Sequence, residues 1–308
     1  MNLDQVLERA YEYGTRYIHK GKVAEYIPEL AKEDKGRASA VIFDREGRIF
    51  QVGDSTYRFS MQSIVKVVIY LSVLENYEFS HIKKYVGVKP SSKPFNSILE
   101  LELSNKSIPV NPFINAGAIV ATSLLFQKYG ERSFDMILDK VRLLLGDPQA
   151  SLSESIYRSE KSSAFANRAL TYMMLSHKII PAELNVEHLL DVYFKSCSIM
   201  VDTVGLGRLS QVLSRDGMSI EGARLIAPEH AKILRTVMAS CGTYDYSGDF
   251  AIRIGIPAKS GVGGGIVTAS KAGYGIAVYC PGLDTHGNSY VGTRMLQSIS
   301  RDLELSIY

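Results

Sequence analysis

The chain has 308 residues, 46% of them hydrophobic and 22% charged, with a formal net charge of +3. That balance describes a globular protein with one large core or two closely packed domains, and it excludes disordered and fibrous classes. No lysine–arginine cluster is interleaved with aromatics, so no nucleic-acid partner is expected. The three cysteines, Cys197, Cys241 and Cys280, are scattered and form no C-x-x-C pair, which points to a reducing cytoplasmic location without a disulfide framework or zinc cluster. The N-terminus carries acids where a signal peptide needs bases, and the apolar stretch from Val65 to Leu74 is broken by Lys66 and Ser72 and too short to span a bilayer. No membrane association is expected.

In chain order, Leu3, Val6, Leu7, Ala10, Tyr11 and Tyr17 recur at helical spacing and predict an opening helix that ends near Gly21. Residues 38–43 and 48–52 flank Asp44-Arg45-Glu46-Gly47 and read as a hairpin. From Ser63 to about Leu213 the pattern is mostly helical, with segments near 63–76, 115–129, 133–145, 166–178, 186–200 and 203–214. Another helix starts at Pro228 and runs to residue 240. Strands are expected at 252–260, 265–269 and 274–279, followed by a closing helix over 289–303. Segment 85–112, with Pro90, Pro94, Pro109 and Pro112, reads as a long loop, either a functional lid or a solvated connection. Strands at both ends with helices between them predict an α/β fold: an antiparallel sheet flanked by helices, carrying an inserted, mostly helical domain. The expected division is a discontinuous sheet domain of residues 1–60 and 215–308 and a helical domain of 61–214, with the active site in the cleft between them.

Four stretches carry chemistry. Gln62-Ser63-Ile64-Val65-Lys66 opens a helix with a serine three residues before a lysine, which sets their Cβ atoms about 5–6 Å apart on one face. This is the Ser-x-x-Lys device of serine acyl-transfer enzymes. The first helical turn favours developing negative charge at Ser63, and burial among Ile64, Val65, Val67 and Val68 would lower the pKa of Lys66 towards that of a usable base. Ser80-His81-Ile82-Lys83 has the same spacing but no apolar run behind it. Ala258-Lys259-Ser260-Gly261-Val262-Gly263-Gly264-Gly265 follows a predicted strand. It lacks the glycine before lysine that a phosphate loop requires, and it reads as a strand edge where a substrate can approach the backbone and a free N–H can hold an oxyanion. Asn111-Pro112-Phe113-Ile114-Asn115-Ala116-Gly117-Ala118 places Asn115 at a helix start, as a cap or as a site residue. Glu160 and Asn167, seven residues apart, would face one way on a continuous helix. Neither an H-E-x-x-H nor a G-x-S-x-G pattern occurs, so neither a metal nor a Ser-His-Asp triad is expected.

Together with Ser240-Cys241-Gly242-Thr243-Tyr244-Asp245-Tyr246-Ser247-Gly248, these phrases resemble the serine-dependent glutaminases, in that family's order and from about Ala24 to the C-terminus. Those enzymes share their fold with β-lactamases and penicillin-binding proteins. The resemblance implies that Ser63 is a nucleophile, that Lys66 is its base and that Tyr244 relays protons near leaving ammonia. It further implies an oxyanion hole made by the N–H groups of Ser63 and Val262. Tyr26, Gln62, Asn115, Glu160, Asn167 and Tyr193 then grip L-glutamine, the implied substrate, and a carboxylate for the substrate's ammonium agrees with that chemistry. No cofactor is implied, and the assembly would be a homodimer or homotetramer. The sequence departs from related enzymes in two places. It lacks the Ser-Asp-Asn or Tyr-x-Asn motif of penicillin chemistry, and Ala166 stands before Asn167 where the family often has arginine. Two alternatives accompany this reading: a β-lactamase or peptidase of the same fold, and a non-catalytic amino-acid sensor.

Overall fold

A computed structural model describes residues 2–104 and 107–308; Met1, and residues 105 and 106 of the 85–112 segment, lie outside the described part. Helix α1 (Leu3–Thr15) buries Leu3, Val6, Leu7, Ala10 and Gly14 along one face, and the Asn2 side chain caps it by accepting from the Asp4 N–H. It ends at Thr15 rather than near Gly21, and a separate 3₁₀ turn follows at Ile18–Lys20. Strands β1 (Ser39–Phe43) and β2 (Ile49–Gly53) form the hairpin, paired Ile42 to Phe50. A two-residue strand β3 (Phe59–Ser60) leads through a 3₁₀ turn at Gln62–Ile64 into α2 (Val65–Asn76). Every residue of α2 from Val65 to Leu74 is buried, Lys66 and Ser72 included, so this helix is the axis of the larger core.

The helical part continues with α3 (Phe79–Ile82), α4 (Ile98–Leu103), α5 (Asn115–Tyr129) and α6 (Ser133–Leu145). After these come β4 (Ser151–Leu152), α7 (Glu154–Ser163), α8 (Phe165–Ser176), α9 (Val186–Cys197), β5 (Ile199–Val201) and α10 (Thr203–Ser214). The close approach of α5 is set by Gly117, where a Cβ would come within 1.9 Å of the Asn111 carbonyl oxygen, so Gly117→Ala would push this helix off its seat. The chain then forms α11 (Pro228–Cys241), a 3₁₀ turn at Tyr244–Tyr246, α12 (Ser247–Arg253), β6 (Ala258–Ser260), β7 (Gly265–Thr268), β8 (Gly275–Tyr279) and α13 (Tyr290–Asp302).

The main sheet has five antiparallel strands in the order β2-β1-β8-β7-β6, so N- and C-terminal segments of the chain share it. Helices α1 and α13 cover one face through Val6, Leu7, Val291, Met295 and Ile299 against Ala40, Ile42, Ile276 and Val278. Helix α10 lies on the other face: a Cβ at Gly207 would sit 2.8 Å from the Phe43 ring, and Ser210 and Thr268 share a hydrogen bond of 3.1 Å. The fold is therefore the expected α/β type, an antiparallel sheet flanked by helices. Among the described residues no helix is long and apolar enough to cross a membrane.

Several elements differ from the sequence expectation. Residues 247–253 are helix α12, not the start of a strand. Ile252, Ile254 and Ile256 imitate strand alternation, but Ile252 is 87% exposed while the other two are buried. The helix expected to reach residue 200 stops at Cys197, and β5 pairs with β3 and β4 in a small second sheet of strands too short to leave a periodic signal. Segment 85–112 is not structureless throughout, since it contains α4, capped by Ser97.

Candidate active site

The site forms where three segments meet: the turn into α2, the turn between β6 and β7, and the break between α7 and α8. Gln62 starts the first turn with φ at 47°, an unfavourable backbone state for a side-chain-bearing residue, held here by close packing. The β6–β7 turn is pressed onto it. A Cβ at Gly261 would come within 2.6 Å of the Met61 carbonyl oxygen, and one at Gly263 within 2.4 Å of that of Ser60. Only glycines permit this approach, and it sets Val262 beside Ser63. Among the described residues neither the Ser63 nor the Val262 backbone N–H has a hydrogen-bond acceptor, although both residues are buried. Such donors are suited to a developing oxyanion.

Lys66 lies three residues on and is 1% exposed. Its Nζ donates to the Phe113 carbonyl oxygen at 3.1 Å and to Asn115 Oδ1 at 2.7 Å. Burial lowers its pKa to about 8, while Cys197 and Glu160 pull weakly the other way. Asn115 is the first residue of α5, and among the described residues no side chain caps that helix; the Asn115 N–H donates to the Phe95 carbonyl oxygen at 2.8 Å, and Asn111 Oδ1 accepts from the N–H groups of Phe113 and Ile114 in the turn before it. The Asn115 side chain holds Lys66 on one side and donates to Asn167 Oδ1 at 2.9 Å on the other, with the Tyr193 hydroxyl reaching the same Asn115 Oδ1 at 3.4 Å.

Glu160 and Asn167 do meet at the site, though not as two turns of one helix. Ala164 breaks the chain between α7 and α8, so each residue comes from its own helix. Burial raises the Glu160 pKa to about 8, against the pull of Gln62 and Lys66, and among the described residues its Oε2 has no hydrogen-bond partner. Tyr244 stands in a 3₁₀ turn at φ 63° and donates to the Ser260 carbonyl oxygen at 3.2 Å. Burial pushes its phenol up to about 12, with Ser63 and Ser260 drawing it down.

These groups surround a cavity of about 100 Å³. Tyr26, Gln62, Ser63, Asn115, Glu160, Asn167, Tyr193 and Val262 line it, while Lys66 and Tyr244 stand directly behind the wall. Tyr26 keeps 54% of its surface exposed, but burial of its hydroxyl end pushes that group well above the usual phenol range. Cys197 and Phe95 are among the further wall residues that escaped the sequence reading. Cys197 lies one helical turn after Tyr193 on α9, a spacing that could have identified it. Phe95 reaches the wall from the 85–112 segment, its ring centroid 4.8 Å from that of Tyr244 and tilted 41° to it, and nothing local in the sequence marks it.

An antiparallel sheet flanked by helices, with a serine–lysine pair at the head of the central helix, defines the β-lactamase-like fold class. Within that class the Glutaminase family profile matches residues 21–308. A glutaminase of Clostridium botulinum (strain Kyoto / Type A2) is 42% identical over 99% of this chain and 100% of its own length. The solved structure of the probable glutaminase ybaS superposes with a TM-score of 0.93 at 33% identity, covering 99% of this chain and 98% of that one. The Bacillus subtilis glutaminase YbgJ, solved as a covalent complex with 5-oxo-L-norleucine formed from 6-diazo-5-oxo-L-norleucine, superposes with a TM-score of 0.89 at 30% identity over 100% of both chains. The chain belongs to the glutaminase family and is an amidohydrolase of that class.

Proposed function

We propose that this enzyme hydrolyses L-glutamine to L-glutamate and ammonia through a γ-glutamyl ester on Ser63. Neutral Lys66 takes the Ser63 proton as Oγ attacks the side-chain amide carbon. The resulting oxyanion is held by the Ser63 and Val262 N–H groups. Tyr244 hands a proton to the departing nitrogen, the C–N bond breaks and ammonia leaves. Water then attacks the ester, giving its proton back through the same bases, and glutamate departs with Ser63 restored. Glu160 pairs with the substrate ammonium, and Asn115, Asn167, Tyr193 and Tyr26 supply amide and hydroxyl groups for the rest of the amino-acid end.

The observation that carries this reading is Glu160. A buried carboxylate oxygen with no partner, in the same small cavity as Ser63, calls for a cation. A substrate bearing an ammonium at one end and an amide at the other satisfies Glu160 and Ser63 together. Three buried, unpaired cysteines support the cytoplasmic assignment. The test is labelling with 6-diazo-5-oxo-L-norleucine followed by peptide mapping. The label is expected on the Ser63 peptide, blocked by L-glutamine and lost in Ser63→Ala; label on any other residue overturns the nucleophile.

A further inference from the structure

Three helices each bring one residue to the cavity wall: Glu160 from α7, Asn167 from α8 and Tyr193 from α9. The first two arrive from either side of the break at Ala164, so the end of α7 has to be held by something other than its own helix. A helix end leaves its last four carbonyls without intrahelical donors. Here side chains supply two of them. The Ser163 hydroxyl reaches the Glu160 carbonyl oxygen at 3.4 Å, and the Lys161 carbonyl oxygen accepts from across the break, from Arg168 Nη1 at 3.0 Å. Arg168 directly follows Asn167 on α8. Its Nε and Nη2 donate to Glu187 Oε1 and Oε2 of α9 at 2.8 and 2.9 Å, a two-pronged pair. One guanidinium therefore joins all three helices. Arg168 is not among the residues that line the cavity, and the reaction above gives it no part.

We propose that Arg168 is a positioning residue for Glu160: its guanidinium pins the last turn of α7 to α8 and α9 and so fixes the carboxylate where the substrate's ammonium must lie. The inference rests on Glu160 pairing with that ammonium. Arg168 grips the backbone one residue from Glu160. Among the described residues Glu160 Oε2 has no hydrogen bond to hold it, so the place of that oxygen depends on the backbone that carries the side chain. The other polar links between α7 and α9 hold side chains and leave that backbone alone: the Tyr157 hydroxyl donates to Asp191 Oδ1 at 2.9 Å, and Lys161 Nζ pairs with the same oxygen at 2.6 Å. The Glu187 side chain is 43% exposed, so the pair with Arg168 adds little to global stability and its contribution lies in direction. Only a planar fork spans two carboxylate oxygens and a carbonyl at once; a lysine amine is a point charge and cannot.

Two substrates separate the positioning of Glu160 from general damage. L-Glutamine carries the ammonium. The mono-p-nitrophenyl ester of glutaric acid carries the distal carboxylate and a reactive acyl group but no ammonium. Arg168→Met should raise KM for L-glutamine by about tenfold or more, leave kcat within about threefold, and change kcat/KM for the ester by about twofold or less. Its melting temperature should fall by about 3 °C or less. Arg168→Lys should recover only part of the loss. Glu187→Gln, a milder change nearer the surface, should raise KM for L-glutamine by about threefold, and the double variant with Arg168→Met should be no worse than Arg168→Met alone. Glu160→Gln serves as the reference and should show a larger loss confined to L-glutamine. If Glu160→Gln is selective while Arg168→Met and Glu187→Gln slow both substrates equally, or slow neither, the positioning role is wrong and the ammonium reading stands. If Glu160→Gln slows both substrates equally, the ammonium reading fails and the positioning role falls with it.

Discussion

Two serine–lysine pairs with the same spacing occur 17 residues apart in this chain, and only one of them has chemistry around it. Ser63 and Lys66 are 8% and 1% exposed. Ser80 and Lys83 are both exposed, on a helix of four residues and its cap, with the lysine 6.0 Å from the Phe79 ring. The second pair faces solvent, and nothing around it desolvates the lysine or directs it at the serine. At the first pair, desolvation favours the neutral amine, and two carbonyl-type oxygens fix the direction of that amine. Identical spacing gives identical reach; the surroundings decide whether the reach accomplishes anything.

The sharpest way to test this contrast is to remove the first pair. Ser63→Ala should reduce ammonia release from L-glutamine by about four orders of magnitude or more. Lys66→Arg should fall nearly as far, because a guanidinium stays protonated at every accessible pH. With the Lys66 pKa lowered to about 8, the working neutral form predominates above that value, so wild-type kcat/KM should rise about tenfold per pH unit below it and level off above. Glu160, raised to about 8 by burial, must also lose its proton to bind an ammonium, so it steepens the rise below pH 8 beyond the tenfold per unit that Lys66 alone gives, towards about a hundredfold. A flat profile from pH 6 to 9, or an active Lys66→Arg enzyme, would assign the base to another group.

A smaller effect is expected at Glu160. Glu160→Gln keeps the shape and removes the charge, and kcat/KM for L-glutamine should fall about a hundredfold, with most of the loss in KM. Steady-state kinetics holding both parameters within twofold of wild type would leave Glu160 without a role in recognition. The smallest effect belongs to the second pair. Ser80→Ala and Lys83→Ala should leave turnover unchanged and move the melting temperature by about 1 °C or less. A loss of activity at either position would break the argument that burial distinguishes the pairs.

Sequence by itself determined more of this protein than its local periodicities. The antiparallel α/β architecture, the central helix behind Ser63 and the turn at Val262 are legible because each has a local cause. An apolar run buried on every side, glycines where two backbones touch, and proline at a helix start all act within a few residues. Tertiary structure alone decided what depends on contacts between distant segments. Glu160 and Asn167 are neighbours because Ala164 ends one helix and lets the next turn back, which no spacing rule within a single helix foresees. The strands of the small second sheet are two or three residues long, too short for any pattern, and exist only through pairing with one another. Asn115 has the ordinary look of a cap, but it is the first helical residue of α5, and its side chain holds Lys66 and Asn167. Phe95 takes its place from a partner far along the chain, the Tyr244 ring, and Lys259 is held by the Gly242 carbonyl together with that of its neighbour Ser260. Burial and hydrogen-bond direction are set by the whole packed chain, so reactivity at the site could be read only once those partners were in place.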